Sequence, residues 1–263
     1  MTTLLRASWR MRPLLLCHLF AALLLASWVW EPTRLLWDHF DDQLFRLLNT
    51  PLADGGWWAK TWAIGSLRPM DVAAGLIMLS FLLHRGWVFP GNEVRRALFA
   101  FVAILLLLLL VRTGFTALAK LLDWQHASPS LVIDGAVRLS ELFPDWDRWE
   151  LKDASERSFP GDHASVLLLW ALFLSFFARG WWLLVIWGLA TLFMLPRLVA
   201  GAHWGSDDFV GGLFLSLLAI AWGCCTPYAS HCSRALERLT APLFALLARL
   251  LPMIGRMALV RGD

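Results

Sequence analysis

Apolar residues fall along this chain in runs long enough to cross a bilayer. Pro13–Trp30 contains no Asp, Glu, Lys or Arg, and comparable runs recur near Pro69–Leu83, Ala97–Val111, Ala164–Ala178, Trp181–Leu195 and Phe209–Cys224. A helix rises about 1.5 Å per residue, so about 20 mostly apolar residues span the hydrocarbon core. Neutral flanking residues complete the shorter runs. The pattern predicts an all-α integral membrane protein, a bundle of six transmembrane helices. The second is the weakest, because Asp71 stands at its start. The first run has no small-x-small cleavage site before Glu31 and leads into further spans, so it reads as a retained helix rather than a secretion signal.

Two further segments have helical periodicity of another kind. In Pro32–Asn49, Leu35, Leu36, Phe40, Leu44, Leu47 and Leu48 interleave with Asp38, Asp41, Asp42 and Arg46. This predicts an amphipathic helix, either lying on the outer surface or packed on top of the bundle. Ser233–Gly255 carries Leu236, Leu239, Leu243, Leu247, Leu250 and Leu251 among Arg234, Arg238 and Arg249, with Pro242 and Pro252 arguing against a seventh span. It predicts a cytoplasmic in-plane tail helix drawn to anionic lipid. The chain divides into a membrane domain, 1–225, and an amphipathic tail, 226–263. Trp57, Trp58 and Trp62 form an interfacial belt before the second span. The long polar stretch Lys120–Ser158 predicts a lid or substrate-docking element.

Charge orients the bundle. Arg6, Arg10 and Arg12 precede the first span, Arg85, Arg95 and Arg96 separate the second and third, Arg179 separates the fourth and fifth, and Arg234, Arg238, Arg249, Arg256 and Arg261 fill the tail. The positive-inside rule makes that side cytoplasmic and the opposite side the outer one. A composition 59% hydrophobic and 16% charged, with 17 tryptophans, excludes an ordinary soluble domain. The net charge of +3 is distributed by topology and does not form a stripe for nucleic acid. Cys17, Cys224, Cys225 and Cys232 avoid the outer loops and lack zinc-type spacing, so neither a disulfide nor a structural metal is expected.

Candidate chemistry lies in two polar islands on the outer side. In Arg197-Leu-Val-Ala-Gly-Ala-His203-Trp-Gly-Ser-Asp207, His203 and Asp207 are four apart. On a helix that spacing puts both on one face, so the carboxylate can fix the imidazole tautomer and sharpen its other nitrogen. Arg197 offers a planar fork suited to phosphate oxygens. In Ser158-Phe-Pro-Gly-Asp-His163, His163 is placed to protonate a departing oxygen. The Pro160-Gly161-Asp162 turn opens a helix whose free amides favour an anion, although Asp162 or Ser158 acting as a helix cap needs no substrate. Asp162 would repel an anionic ligand unless paired, and Lys152 or Arg157 is the expected partner, anchoring the outer loop.

This combination resembles the type-2 phosphatidic acid phosphatase (PAP2) superfamily, whose boxes read Lys-x6-Arg-Pro, Pro-Ser-Gly-His and Ser-Arg-x5-His-x3-Asp. The third is present at Arg197, His203 and Asp207, with Pro196 in place of Ser. The second reads Pro160-Gly161-Asp162-His163. The first is degraded to Lys120 followed by Ser128-Pro129. With Arg138-Leu-Ser-Glu-Leu, Lys152-Asp-Ala-Ser155, Arg68 and Asp71, the pattern is similar to the lipid A 1-diphosphate synthase branch over Arg68 to Gly212. The resemblance implies a bacterial inner-membrane phosphotransferase with a periplasmic site. His203 would attack the terminal phosphorus of undecaprenyl diphosphate and Asp207 would stabilise its imidazolium. Arg197, Lys120, Ser128 and the Gly161 amide would hold oxygens, and His163 would protonate undecaprenyl phosphate. Lipid A would accept the phosphoryl group, no metal or other cofactor would be needed, and a small regulatory membrane peptide would be a further partner.

Three rival readings remain from the residues. Water could be the acceptor, giving a lipid phosphate phosphatase. A metal hydrolase could use Asp162, His163, His203, Asp207 and Asp208, although Arg197 beside them would oppose a cation. A transporter could use intramembrane charges as a proton path, but these charges cluster at one face.

Overall fold

The computed structural model describes residues 7–250 and 259. Arg6, Leu251, Pro252, Gly255, Arg256 and Arg261, which figure in the orientation and tail readings, lie outside the described residues. Helices account for the architecture: α1 (Met11–Val29), α2 (Glu31–Asn49), α3 (Trp57–Gly65), α4 (Arg68–Leu83), α5 (Gly91–Leu121), the short α6 (Pro129–Val132) and α7 (Leu139–Leu142), α8 (Asp162–Ser175), α9 (Trp181–Val199), α10 (Leu213–Cys225) and α11 (Tyr228–Leu250). A π-helical stretch, Asp207–Gly212, runs directly into α10.

Among the described residues, four helices are long and apolar enough to cross a membrane: α1, α5, α9 and the continuous Asp207–Cys225 helix. A fifth crossing results if α3 and α4 count as one span bent by 66°. The bend falls at Ser66-Leu67, just before Pro69, which has no N–H to continue a helix. The expected fourth span is shorter than the apolar run suggested. Helix α8 has 14 residues, about 21 Å of rise. It is nevertheless the centre of the molecule. Leu167, Leu168, Leu169, Trp170, Ala171, Phe173 and Leu174 are all buried, because a helix apolar on every side must be surrounded. Helices α5, α9 and α10 enclose it, and Trp170 donates its indole N–H to the Met78 carbonyl of α4 at 3.1 Å. By contrast α1 leaves Leu15, Leu16, Leu19, Phe20 and Leu23 exposed. That face is stable in lipid and a liability in water.

Helix α2 packs on top of the bundle, the second of the two placements its periodicity allowed. Its seam is not the leucine stripe. Leu35, Leu36 and Leu47 are exposed, while Asp41, Phe45 and Asn49 are buried at i, i+4 and i+8. The polar members bury because they satisfy backbone groups left over at helix ends. Asp41 Oδ1 accepts from the Ser206 amide at 2.7 Å, where the Asp207 helix begins. Asn49 donates to the Val199 carbonyl at the end of α9 at 3.0 Å, donates to Val137 O at 3.0 Å, and accepts from Val137 N at 2.8 Å. Burial pushes the Asp41 carboxyl up to about 6, against the lowering effect of its bonds to Ser206.

At the opposite end, Arg10 N donates to Cys225 O at 2.8 Å, closing the start of α1 on the end of α10. The tail helix α11 runs against α5: Tyr228 donates to the Ala103 carbonyl at 3.0 Å and Phe244 stacks on Phe99. Its leucines Leu239, Leu243, Leu246 and Leu250 stay exposed. It is therefore docked on the bundle along one side while its apolar stripe faces outward.

Candidate active site

The Arg197–Asp207 island is built by a chain reversal. Helix α9 ends at Val199, Gly201 takes φ +78°, and Ala202 N and His203 N turn back to the Arg197 carbonyl at 2.9 and 3.3 Å. A side chain at Gly201 would meet Phe45 Cε2 at 2.7 Å in addition to the unfavourable backbone. The reversal explains the Arg-x5-His spacing, since it returns His203 to the level of Arg197. His203 lies in this turn, before the helix, and not on one helical face with Asp207 as the spacing suggested.

His203 is 7% exposed, and its two ring nitrogens have distinct surroundings. Nδ1 donates to the Ser158 carbonyl at 3.0 Å and lies 3.5 Å from Asp207 Oδ2. Nε2 lies 3.6 Å from Asp162 Oδ1. Burial alone would lower the ring's proton affinity. The carboxylates of Asp162 and Asp207, with Asp208 nearby, outweigh it and raise the value to about 10. His203 therefore favours its protonated form.

A cavity of about 510 Å³ opens in front of that ring, lined by His203, His163, Asp162, Arg197 and Lys152 and also by Arg68, Asp71, Arg112 and Glu150. Five of the expected site residues therefore share one space. Arg197 Nη1 donates to the carbonyls of Ser66 and Lys152 at 3.1 and 3.2 Å, and Nη2 to Asp71 Oδ2 at 2.6 Å. These bonds tie α9 to the α3–α4 bend and to the outer segment. His163 donates Nε2–H to the Phe193 carbonyl at 3.1 Å. A second, apolar cavity of about 330 Å³ between α3, α4 and α9 meets the first at Asp71 and His163.

Other expected residues take other places. Arg157 and Ser158 line an adjoining cavity of about 270 Å³, which shares Arg112, Lys152, Asp162 and His203 with the main one. Asp207 lies behind His203, fully buried. Lys120 is exposed at the end of α5 and lines neither cavity; Arg112, about two turns earlier on the same helix, reaches the site instead. Ser128 is buried and accepts from the Ser155 amide at 2.9 Å, pinning the outer segment rather than facing the cavity. The Gly161 amide is occupied, donating to the Asp207 carbonyl at 3.0 Å. The contact is so close that a Cβ at 161 would fall 2.4 Å from Asp208 Oδ1, which accounts for glycine there but removes the amide as an anion donor. Asp162 does not pair with Lys152 or Arg157. Its neighbours are His203, the His163 amide at 2.7 Å, and Arg112 at 3.9 Å.

One contact had no signal in the sequence spacing. His126 Nε2 donates to Asp207 Oδ1 at 3.0 Å, across 81 positions of chain. Its only local hint was a histidine inside the degraded first box, between Lys120 and Ser128.

Comparison with known proteins identifies the family. The family model described as the PAP2 superfamily matches residues 97–232, a range that holds all three boxes. The chain is 30% identical over 225 residues to the Lipid A 1-diphosphate synthase of Escherichia coli (strain K12), covering 83% of this chain and 89% of that protein. No solved structure matches. The chain therefore belongs to the PAP2 superfamily and is a lipid phosphotransferase or phosphatase.

Proposed function

We propose that the protein is a bacterial inner-membrane phosphotransferase that moves the terminal phosphoryl group of undecaprenyl diphosphate onto the 1-phosphate of lipid A, through a phosphohistidine on His203. The reading rests on one observation above all. His203 has Nδ1 tied from behind, while Nε2 faces a cavity that also holds Arg197, Arg112, Arg68 and Lys152. In this reading α3–α4 and α8 complete six spans, and the basic flanks put the site on the periplasmic side. The exposed leucines of α11 meet the cytoplasmic leaflet.

The diphosphate head sits among the four cations, which supply positive charge where the transferring oxygens become more negative. Neutral Nε2 attacks the terminal phosphorus as the bond to the bridging oxygen breaks. That bond's electron pair goes to the oxygen of undecaprenyl phosphate, which His163 protonates. Because His163 Nε2 is held on the Phe193 carbonyl, Nδ1 is the nitrogen that gives up the proton. Asp207 stabilises the charge that develops on the His203 ring. In the second half an oxygen of the lipid A 1-phosphate attacks phosphorus, and the P–N electrons return to His203. The apolar cavity beside His163 suits the hydrocarbon chain of the donor.

The acceptor is settled by a label. With terminal-phosphate-labelled undecaprenyl diphosphate and lipid A in mixed vesicles, label is expected in lipid A. Label that appears only as inorganic phosphate, with or without lipid A, would make the protein a phosphatase.

The protonated resting state predicts a pH dependence. Attack needs a neutral His203 ring and departure needs a protonated His163, so the two ionisations oppose each other, and kcat/KM should stay level from neutrality and fall above about 10. Asp162→Asn removes one of the carboxylates that hold the proton, so the limb should move to lower pH. An unmoved limb would show that Asp162 is not the counter-ion of His203.

A further inference from the structure

We propose that His126 is a positioning residue for phosphoryl transfer, acting on His203 through both groups that face His203 Nδ1. The inference rests on the reading of His203 as nucleophile. Asp207 is fully buried, and its nearest side-chain partner is not His203 but His126, at 3.0 Å against 3.5 Å. The Trp204 amide donates to the other oxygen, Oδ2, at 2.8 Å. With one donor on each oxygen, the carboxylate cannot rotate, and Oδ2 stays turned toward His203.

The backbone of the same residue supports the other acceptor. The His126 carbonyl accepts from Ser158 N at 2.9 Å and from Ser158 Oγ at 3.2 Å. The Ser158 carbonyl in turn accepts from His203 Nδ1 at 3.0 Å. Residue 126 therefore braces the carboxylate with its ring and the carbonyl with its main chain. The ring is itself confined by Trp28, Phe159 and Trp204, at centroid distances of 6.1, 6.0 and 6.4 Å. No other histidine side chain among the described residues hydrogen-bonds or ion-pairs with Asp207, apart from His203 itself.

The chemical role follows from geometry. His203 must present Nε2 in line with the breaking P–O bond, and its aim depends on where Nδ1 is held. Removing the His126 ring leaves Asp207 Oδ1 buried without its side-chain donor, free to turn toward another. His126 lines neither of the two cavities beside His203, so binding should persist while the attack geometry degrades.

The test uses the full chain in vesicles with labelled undecaprenyl diphosphate. Three variants are compared: His126→Ala, His126→Asn and His126→Gln. Gln carries an N–H at about the reach of Nε2, whereas the Asn amide stops short of it. We expect His126→Ala and His126→Asn to lose about 10²-fold in kcat with KM nearly unchanged, as for a misplaced reacting group, and His126→Gln to recover most of the loss. Equal activities of the Gln and Asn variants, or a loss carried by KM, would overturn the role. If His126→Ala fails to fold, the Gln–Asn pair alone decides. His203→Ala, run in parallel, separates the two readings. Turnover retained in that variant defeats the nucleophile assignment itself, whereas its loss beside full activity of His126→Asn defeats only the role of His126.

Discussion

His203→Ala is expected to lower turnover by about 10⁴-fold or more, the scale seen when a catalytic nucleophile is removed, with the fold retained. The retention has a structural reason. Asp207 keeps its donors from His126 and the Trp204 amide when the His203 ring is lost, so the buried carboxylate is not stranded. Ser158 remains hydrogen-bonded to the His126 carbonyl. The loss should therefore be chemical. Two measurements check it: transfer of label from donor lipid, and label on the protein itself. The unaltered chain should carry phosphate that is stable in base and labile in acid, as expected of a phosphorus–nitrogen bond, and the variant none. Activity within tenfold of the unaltered protein would remove His203 from the reaction.

Arg197→Lys should be nearly as damaging, although it keeps the charge. The guanidinium reaches three acceptors in different directions: Ser66 O, Lys152 O and Asp71 Oδ2. A lysine ammonium on a shorter stem cannot match that fork. The change should reduce kcat/KM by about 10³-fold, or about 4 kcal/mol of transition-state stabilisation. It should also lower the melting temperature, because Asp71 loses its 2.6 Å partner at a half-buried position. A variant retaining more than a tenth of the activity would show that Arg197 only holds the loops together. Asp71→Asn in the same background should then restore stability without restoring rate if Arg197 does both.

How legible the molecule was depended on how local each feature is. Arg197, His203 and Asp207 lie within eleven positions, so one turn with Gly201 suffices to gather them, and their spacing announced the site. The apolar runs announced α1, α5 and α9 equally well, because lipid-facing helices must be apolar along their length. Residues that meet only through packing were hidden. Lys120 and Arg112 stand on one helix, and which of them reaches the cavity depends on how α5 lies against α8. His126 meets Asp207 from the far end of an outer segment, and no interval in the sequence encodes that. The seam of α2 misled for a related reason. Its leucines suggested the buried side, but the exposed backbone ends of α9 and of the Asp207 helix drew Asn49 and Asp41 inward instead. The 66° break before α4 falls among Ser66, Arg68, Pro69 and Asp71, where the apolar run that marks α4 begins.

His163 and Asp71 stand at a threshold, with charged walls on one side and greasy ones on the other. A lipid can therefore exchange its headgroup while its tail remains among its neighbours, so the whole molecule never has to be lifted into water. Exchange of one lipid for the next should then run sideways within the leaflet, so the fluidity of the surrounding membrane should affect the turnover rate.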